Sequence, residues 1–168
     1  MTDQDPTAKA PAAAAPAAGE APRLTILTQY IKDLSFENPN APVIFAQLKG
    51  QPQIQVNVDV AASRLQDKLA EVSIRLKLEA KSEDKVAFIL ELEYAGLCAL
   101  GGSPSVEESE RLYLVDGAQM LFPFARAILA NQTRDGGFQP LLLAPLDFAA
   151  LYQQRKARAA TAAPAGTA

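Results

Sequence analysis

Few side chains in this sequence have a type and spacing that could do covalent chemistry. Histidine is absent, which removes the commonest general base near neutral pH and the commonest metal ligand. Ser–His and Cys–His nucleophile pairs are excluded with it. Cys98 is the one cysteine, so the chain can close no internal disulfide and build no thiolate zinc cluster. Such a cysteine is expected as a small core residue. Gly101-Gly102 lacks the Lys-Ser/Thr that a phosphate loop needs. Carboxylate pairs remain, Asp33 with Glu37 and Glu107 with Glu108. They could exchange protons in acid–base catalysis, but they read first as solvated surface charge. Arg126, inside an apolar segment, reads as a snorkelling or paired cation rather than an anion site. The chain offers little to an enzyme mechanism, and no metal or cofactor is expected.

The elements that position these residues follow from periodicity. A chain of 168 residues suits one domain with a sizeable core. Its formal net charge of -3 argues against a nucleic-acid partner, which would show a basic patch. Residues 1–22 are Ala/Pro-rich, with Pro6, Pro11, Pro16 and Pro22 at near-regular spacing, and are expected to be a disordered tail. Residues 158–168 are expected to be a second disordered tail, which leaves 23–157 as the folded domain. No basic n-region with an apolar h-region opens the chain, and no apolar run approaches the ~18 residues of a membrane span. A soluble, cytoplasmic protein without membrane insertion is expected.

Within the domain, Tyr30, Lys32, Leu34 and Phe36 alternate with Ile31, Asp33, Ser35 and Glu37, the period of a strand. Asn38-Pro39 and Ala41-Pro42 then end it in a rigid turn. Leu24 and Ile26 extend the face of Tyr30, Leu34 and Phe36 upstream, interrupted by Thr28 and Lys32. Ile54, Val56, Val58 and Val60 mark a second strand, and Val72, Ile74, Leu76, Leu78 and Ala80 a third. The polar turn Ser82-Glu83-Asp84-Lys85 leads into a fourth strand from Val86 to Cys98. One face of this strand is wholly apolar; the other is apolar at its start and acidic after it. Gly96 and Gly101-Gly102-Ser103-Pro104 end the sheet.

The second half reads as helical. A short helix spans Glu107 to Leu114, and Asp116-Gly117 separates it from a long one over Ala118–Arg134, with Asp116 as N-cap. Pro123 lies in the first turns of that helix, and Asp135-Gly136-Gly137 stops it. Pro145 starts a last helix whose final turns carry Arg155, Lys156 and Arg158. Strands followed by helices predict an α+β fold, a four-stranded antiparallel sheet followed by packed helices. The apolar surface exceeds what one sheet and its helices can bury, so an oligomer or an exposed recognition patch is expected.

The segment from Leu24 to Gln153 resembles the SecB family of protein-export chaperones. The resemblance rests on motifs in order: Tyr30-Ile-Lys-Asp-Leu-Ser-Phe-Glu37 with Asn38-Pro-Asn-Ala-Pro42, Ala87-Phe-Ile-Leu-Glu91, Leu121-Phe-Pro-Phe-Ala-Arg126, and Phe138-Gln-Pro-Leu-Leu-Leu-Ala-Pro145 with Asp147-Phe148. It implies a dimer of dimers, hence a homotetramer. It also implies ATP-independent binding of unfolded precursor proteins and their delivery to the translocase motor SecA. By position, Asp33, Glu37, Ile89 and Glu91 match the family's SecA-contacting surface. Leu90, Leu92 and Tyr94 match positions linked to precursor handling, and could equally be core or tetramer contacts. Phe45 and Leu48 resemble the region flanking the client groove, although Gln47–Gln51 lacks the tryptophan often found there. Two alternatives stand beside this. One is a SecB-like chaperone of a toxin–antitoxin pair, which the acidic group of Asp33, Glu37 and Glu91 disfavours. The other is a hot-dog-type thioesterase, for which Arg126 and Gln119 would be poor catalytic substitutes.

Overall fold

A computed structural model describes residues 22–162. Residues 1–21 and 163–168, which carry most of the two expected tails, lie outside the described residues. The elements run β1 (Arg23–Glu37), α1 (Val43–Gln47), β2 (Gln53–Gln66), β3 (Leu69–Ser82), β4 (Lys85–Gly101), α2 (Val106–Arg111), a π-helical segment (Leu112–Gly117), α3 (Ala118–Asp135) and α4 (Phe148–Ala162). The fold is α+β, as expected. One sheet has the antiparallel order β1-β4-β3-β2, so β1 and β2 are its edges.

Alternation decides the two faces of the sheet. Val72, Ile74, Leu76 and Leu78 of β3 stand beside Leu90, Leu92, Tyr94 and Cys98 of β4, and all are buried under the helices. Cys98 is fully buried among them, and burial pushes its thiol up to about 11, which keeps it protonated and unreactive at neutral pH. Helix α3 closes this face with Leu121, Phe122, Ala125 and Leu129. The other face carries Glu71, Arg75, Lys77, Glu91 and Glu93.

Strand β1 departs from simple alternation. Its pairing with β4 skips a residue between Ile26 and Thr28 and again between Ile31 and Asp33. Leu27 and Lys32 are therefore the extra residues of two β-bulges, each of which inverts the phase of the strand. Leu24, Ile26, Leu34 and Phe36 keep the helix-side face. Tyr30 and Lys32 do not share it: Tyr30 lies opposite Ala95, and both side chains bond Glu71 on the outer face. Ile31, opposite Tyr94, takes the helix-side phase instead. Strand β4 also runs farther than its glycines suggest. Gly96 is an interior position, where an added Cβ would lie 2.8 Å from Leu121 Cδ2, so glycine there admits the helix rather than ending the strand.

The helices correct several expectations. Asp116-Gly117 makes no break, because α2, the π segment and α3 are one continuous rod. Its N-cap is Ser105, whose Oγ accepts from the Glu108 N–H at 3.2 Å; Asp116 caps nothing and pairs with Arg111 at 3.7 Å. Gly117 is there for space: a Cβ would sit 3.3 Å from Leu24 Cδ2 and 3.4 Å from Val72. Pro123 consequently stands well inside the rod, more than one turn after the widened π segment. By length and composition the rod could cross a membrane, but 56% of its apolar stretch is buried within the chain, as befits a core helix. Helix α4 starts at Phe148, where Asp147 Oδ1 accepts from Ala150 N–H at 2.9 Å, and not at Pro145. It continues to Ala162, past the expected boundary at 158, so Arg155, Lys156 and Arg158 lie along its body rather than in its last turn.

The turn after β1 is anchored. The Asn40 side chain donates to the Val86 carbonyl at 2.9 Å, the Ala41–Pro42 peptide is cis, and α1 follows with Ile44 buried. Thr133, fully buried in α3, accepts the Leu141 N–H at 2.9 Å and so ties the Phe138–Pro145 connector to the helix.

Candidate functional site

Two surfaces on opposite sides of the sheet hold the candidate residues. On the outer face, register places Asp33 opposite Glu93, Ser35 opposite Glu91, and Glu37 opposite Ile89. Asp33, Glu37, Ile89 and Glu91 thus form one cluster from two neighbouring strands. The bulge at Lys32 makes this possible, since it sets the phase that turns Asp33 and Glu37 outward together.

Charge around the cluster is organised in layers. Lys32 bridges Glu71 at 2.5 Å and reaches Glu93 at 3.8 Å. Arg75 holds Glu93 at 3.1 Å, and Tyr30 donates to Glu71. Hydrogen bonds from Lys32 and Tyr30 hold the Glu71 carboxyl below its ordinary value. The same bond, with burial second, pushes the Tyr30 phenol up to about 12. Lys77 pairs with Glu91 across β3 and β4, which raises the lysine. Among the described residues no ion pair engages Asp33 or Glu37. Such an arrangement can present carboxylates to a basic partner.

On the helix side, Phe36 stacks on Phe88 with ring centroids 5.5 Å apart, Phe88 meets Phe138 at 4.9 Å, and Phe138 meets Phe45 at 5.2 Å. This row borders an apolar cavity of about 430 Å³, lined by Leu48, Ile54, Phe88, Phe138, Pro140 and Leu141 among others. Phe45 is 41% exposed. Leu48 is half-buried and lines the cavity. Leu90 and Leu92 are buried in the core of the chain itself, at 0% and 2% exposure. Tyr94 is nearly buried and stacks on Phe124 of α3 at 6.5 Å. The periodicity of the sequence did not single out Phe138 as a groove residue; its place at the end of the helix-stopping Asp135-Gly136-Gly137 was the available signal.

Part of the exposed apolar surface lies on β1 and on α3. Ile31 is 47% exposed, and Met120 and Phe124 lie one turn apart on α3 at 45% and 49%. Nearby on the same helix, Arg126 Nε is buried and finds no hydrogen-bond partner among the described residues.

Residues 17–159 match the family model described as preprotein translocase subunit SecB. The chain is 48% identical over 147 residues to the protein-export protein SecB of Parvibaculum lavamentivorans, covering 88% of this chain and 87% of that protein. It is 50% identical over 142 residues to the protein of the same name from Rhodospirillum rubrum, covering 84% and 87%. Among solved structures it is similar to a SecB-like chaperone of Mycobacterium tuberculosis in complex with an antitoxin peptide. The TM-score is 0.62 at 18% identity, over 74% of this chain and 91% of the other, a likeness of fold.

Proposed function

The chain belongs to the SecB family of protein-export chaperones, and we propose that its two surfaces divide that work between client and motor. The helix-side row of Phe45, Phe88 and Phe138 with Leu48 takes exposed apolar segments of unfolded precursor proteins. The outer cluster of Asp33, Glu37, Ile89 and Glu91 docks SecA in the cytoplasm. The observation that carries this division is the pairing register, which gathers that cluster on the face away from the apolar cavity. Of the residues matched to client handling, Phe45 and Leu48 support this reading by their exposure beside the cavity, whereas Tyr94, at 7% exposure, is packed in the core. Leu90 and Leu92, buried in the core, are left out of the client contact in this reading.

The mechanism needs no bond change and no nucleotide. A precursor without tertiary structure exposes apolar groups along a great length, and several weak sites on one assembly hold it through their linkage in one chain. Binding only the non-native form shifts the precursor away from its folded state by mass action. A polypeptide client is in keeping with the peptide bound to the tuberculosis chaperone of similar fold. Export, rather than antitoxin service, is favoured by the names of the relatives near 50% identity.

Assembly as a homotetramer, a dimer of dimers, is supported by the exposed Ile31, Met120 and Phe124 and by the unsatisfied Arg126 Nε, which a second copy would cover and pair. The test is direct. The protein should delay refolding of a denatured precursor without ATP, and Glu91→Lys or Asp33→Ala should weaken SecA binding about tenfold by placing or leaving charge unmatched. Unaltered SecA affinity in both variants would overturn the docking surface; prompt refolding of the precursor would overturn the client surface.

A further inference from the structure

The outer acidic cluster is partly occupied by the chain's own cation. Lys77 and Glu91 are direct cross-strand partners in the β3–β4 ladder, and the Lys77 ammonium is ion-paired to Glu91 Oε1. Both side chains remain accessible, at 62% and 43%, so the pair is a surface contact and not a buried strut. Glu79 and Glu37 add their fields to that of Glu91 at the lysine. Lys77 is therefore set among the carboxylates, not to one side of them. The neighbouring carboxylates differ: Glu71 and Glu93 are each held by Lys32, and Glu93 also by Arg75, so they are already spent on the sheet. Glu37 lies opposite Ile89, which makes Glu91 its diagonal neighbour at roughly 7–8 Å. An extended basic segment, whose alternate side chains repeat at about 6.8 Å, can meet both.

We propose that Lys77 is a built-in competitor at this surface, a specificity-determining residue that a basic segment of SecA must displace from Glu91 in order to dock. The proposal rests on the docking role of the outer face. An exposed ion pair is weak and its lysine stem is flexible, so displacement is feasible. Yet the displaced ammonium stays close and repels any incoming cation. A partner with one isolated basic residue gains nothing by exchanging one lysine for another. A partner that also reaches Glu37 and Asp33, which no ion pair engages among the described residues, gains net pairing. Lys77 thereby lowers affinity for generic polycations more than for a matched one.

The test is titration of the full chain with full-length SecA at low and high salt. Lys77→Met is expected to tighten binding roughly three- to fivefold near 50 mM salt, the scale of one exposed pair, with the gain fading toward 0.5 M as screening grows. Lys77→Arg, which can grip Glu91 with two donors, is expected to bind about twofold more weakly than wild type. In a Glu91→Gln background the Lys77→Met gain should fall below about twofold, because the competed carboxylate is gone. Opposite signs for Met and Arg are not what a merely structural cross-strand pair would give. If Glu91→Gln weakens binding but Lys77→Met leaves it unchanged or weaker, the competitor role is overturned and the docking face survives. If Glu91→Gln and Asp33→Ala are both neutral, docking and competitor fall together.

Discussion

Replacing Gly136 by alanine probes the joint between the sheet edge, the long helix and the apolar cavity. Gly136 caps α3 with φ -74°, and its N–H bonds the Gln132 carbonyl at 2.8 Å. Alanine adopts that backbone without strain, so the whole effect comes from space. A Cβ built there overlaps Cζ of Phe36 and lies 2.5 Å and 3.1 Å from Cε1 and Cε2, where carbon atoms want about 3.5–4.0 Å. The ring or the helix end must move by about 1 Å. Phe36 cannot yield alone, because it stacks on Phe88, which contacts Phe138, which contacts Phe45. Overpacking of this kind costs about 1–3 kcal/mol, and the lost freedom of glycine in the unfolded chain returns about 0.4–1 kcal/mol. The net loss should be about 1–2 kcal/mol, or roughly 2–8 °C in Tm for a chain of this size. Calorimetry at fixed protomer concentration measures it, and a refolding-delay assay should show weaker client retention, since Phe88 and Phe138 line the cavity. Phe36→Leu should recover part of the loss in the Gly136→Ala background. A Tm within about 1 °C of wild type would refute the packing account.

Three further outcomes are expected. Leu129→Ala, at a fully buried position, should lower stability by about 2–5 kcal/mol, read from the urea midpoint; a loss below about 1 kcal/mol would mean that the core is not closed there. The Glu71 carboxyl is held below its ordinary value, so its contribution is full above the unfolded value and is lost as pH falls. Glu71→Gln should flatten that acid limb and bring the Tyr30 ring resonance, otherwise titrating at about 12, back toward about 10. The wild-type Tyr30 contribution is full below pH 10 and vanishes as pH rises through its folded value, and an unmoved tyrosine would contradict the bond. Phe124→Asp, at 49% exposure on α3, should shift the protein to smaller assemblies by light scattering; an unchanged mass would remove that helix face from the interface.

Legibility in the sequence followed the amount of packing each signal encodes. β3 buries one face and β2 turns Ile54, Val58 and Val60 half-buried toward the same side, so Ile54–Val60 and Val72–Ala80 announce their strands by alternation alone. β1 announces its existence but not its phase, because bulges at Leu27 and Lys32 carry no glycine or proline to mark them. The outward grouping of Asp33 and Glu37 with Ile89 and Glu91 was legible because those pairs lie beyond the last bulge. Gly117 looked like a helix stop when its cause is tertiary, the side chains of Leu24 and Val72. The same holds for Gly96 against Leu121. Helix α1 is one short turn that Ile44 alone secures, too brief for any period to show. The start of α4 was misplaced because Pro145 is a helix-opening residue by type, whereas the Asp147 cap is what opens it.

The two bulges of β1 also give the strand an uneven tolerance of length change. Ile31 faces Tyr94 and Asp33 faces Glu93, which are consecutive on β4, so Lys32 is a spare step in the ladder. Deleting Lys32 would join two already matched halves and leave every other pairing where it is. Deleting Ser35, which has no bulge after it, would instead slide all that follows by one residue, exchanging core for solvent. A deletion scan through β1 would therefore find two permissive steps, at Leu27 and Lys32, in an otherwise intolerant strand.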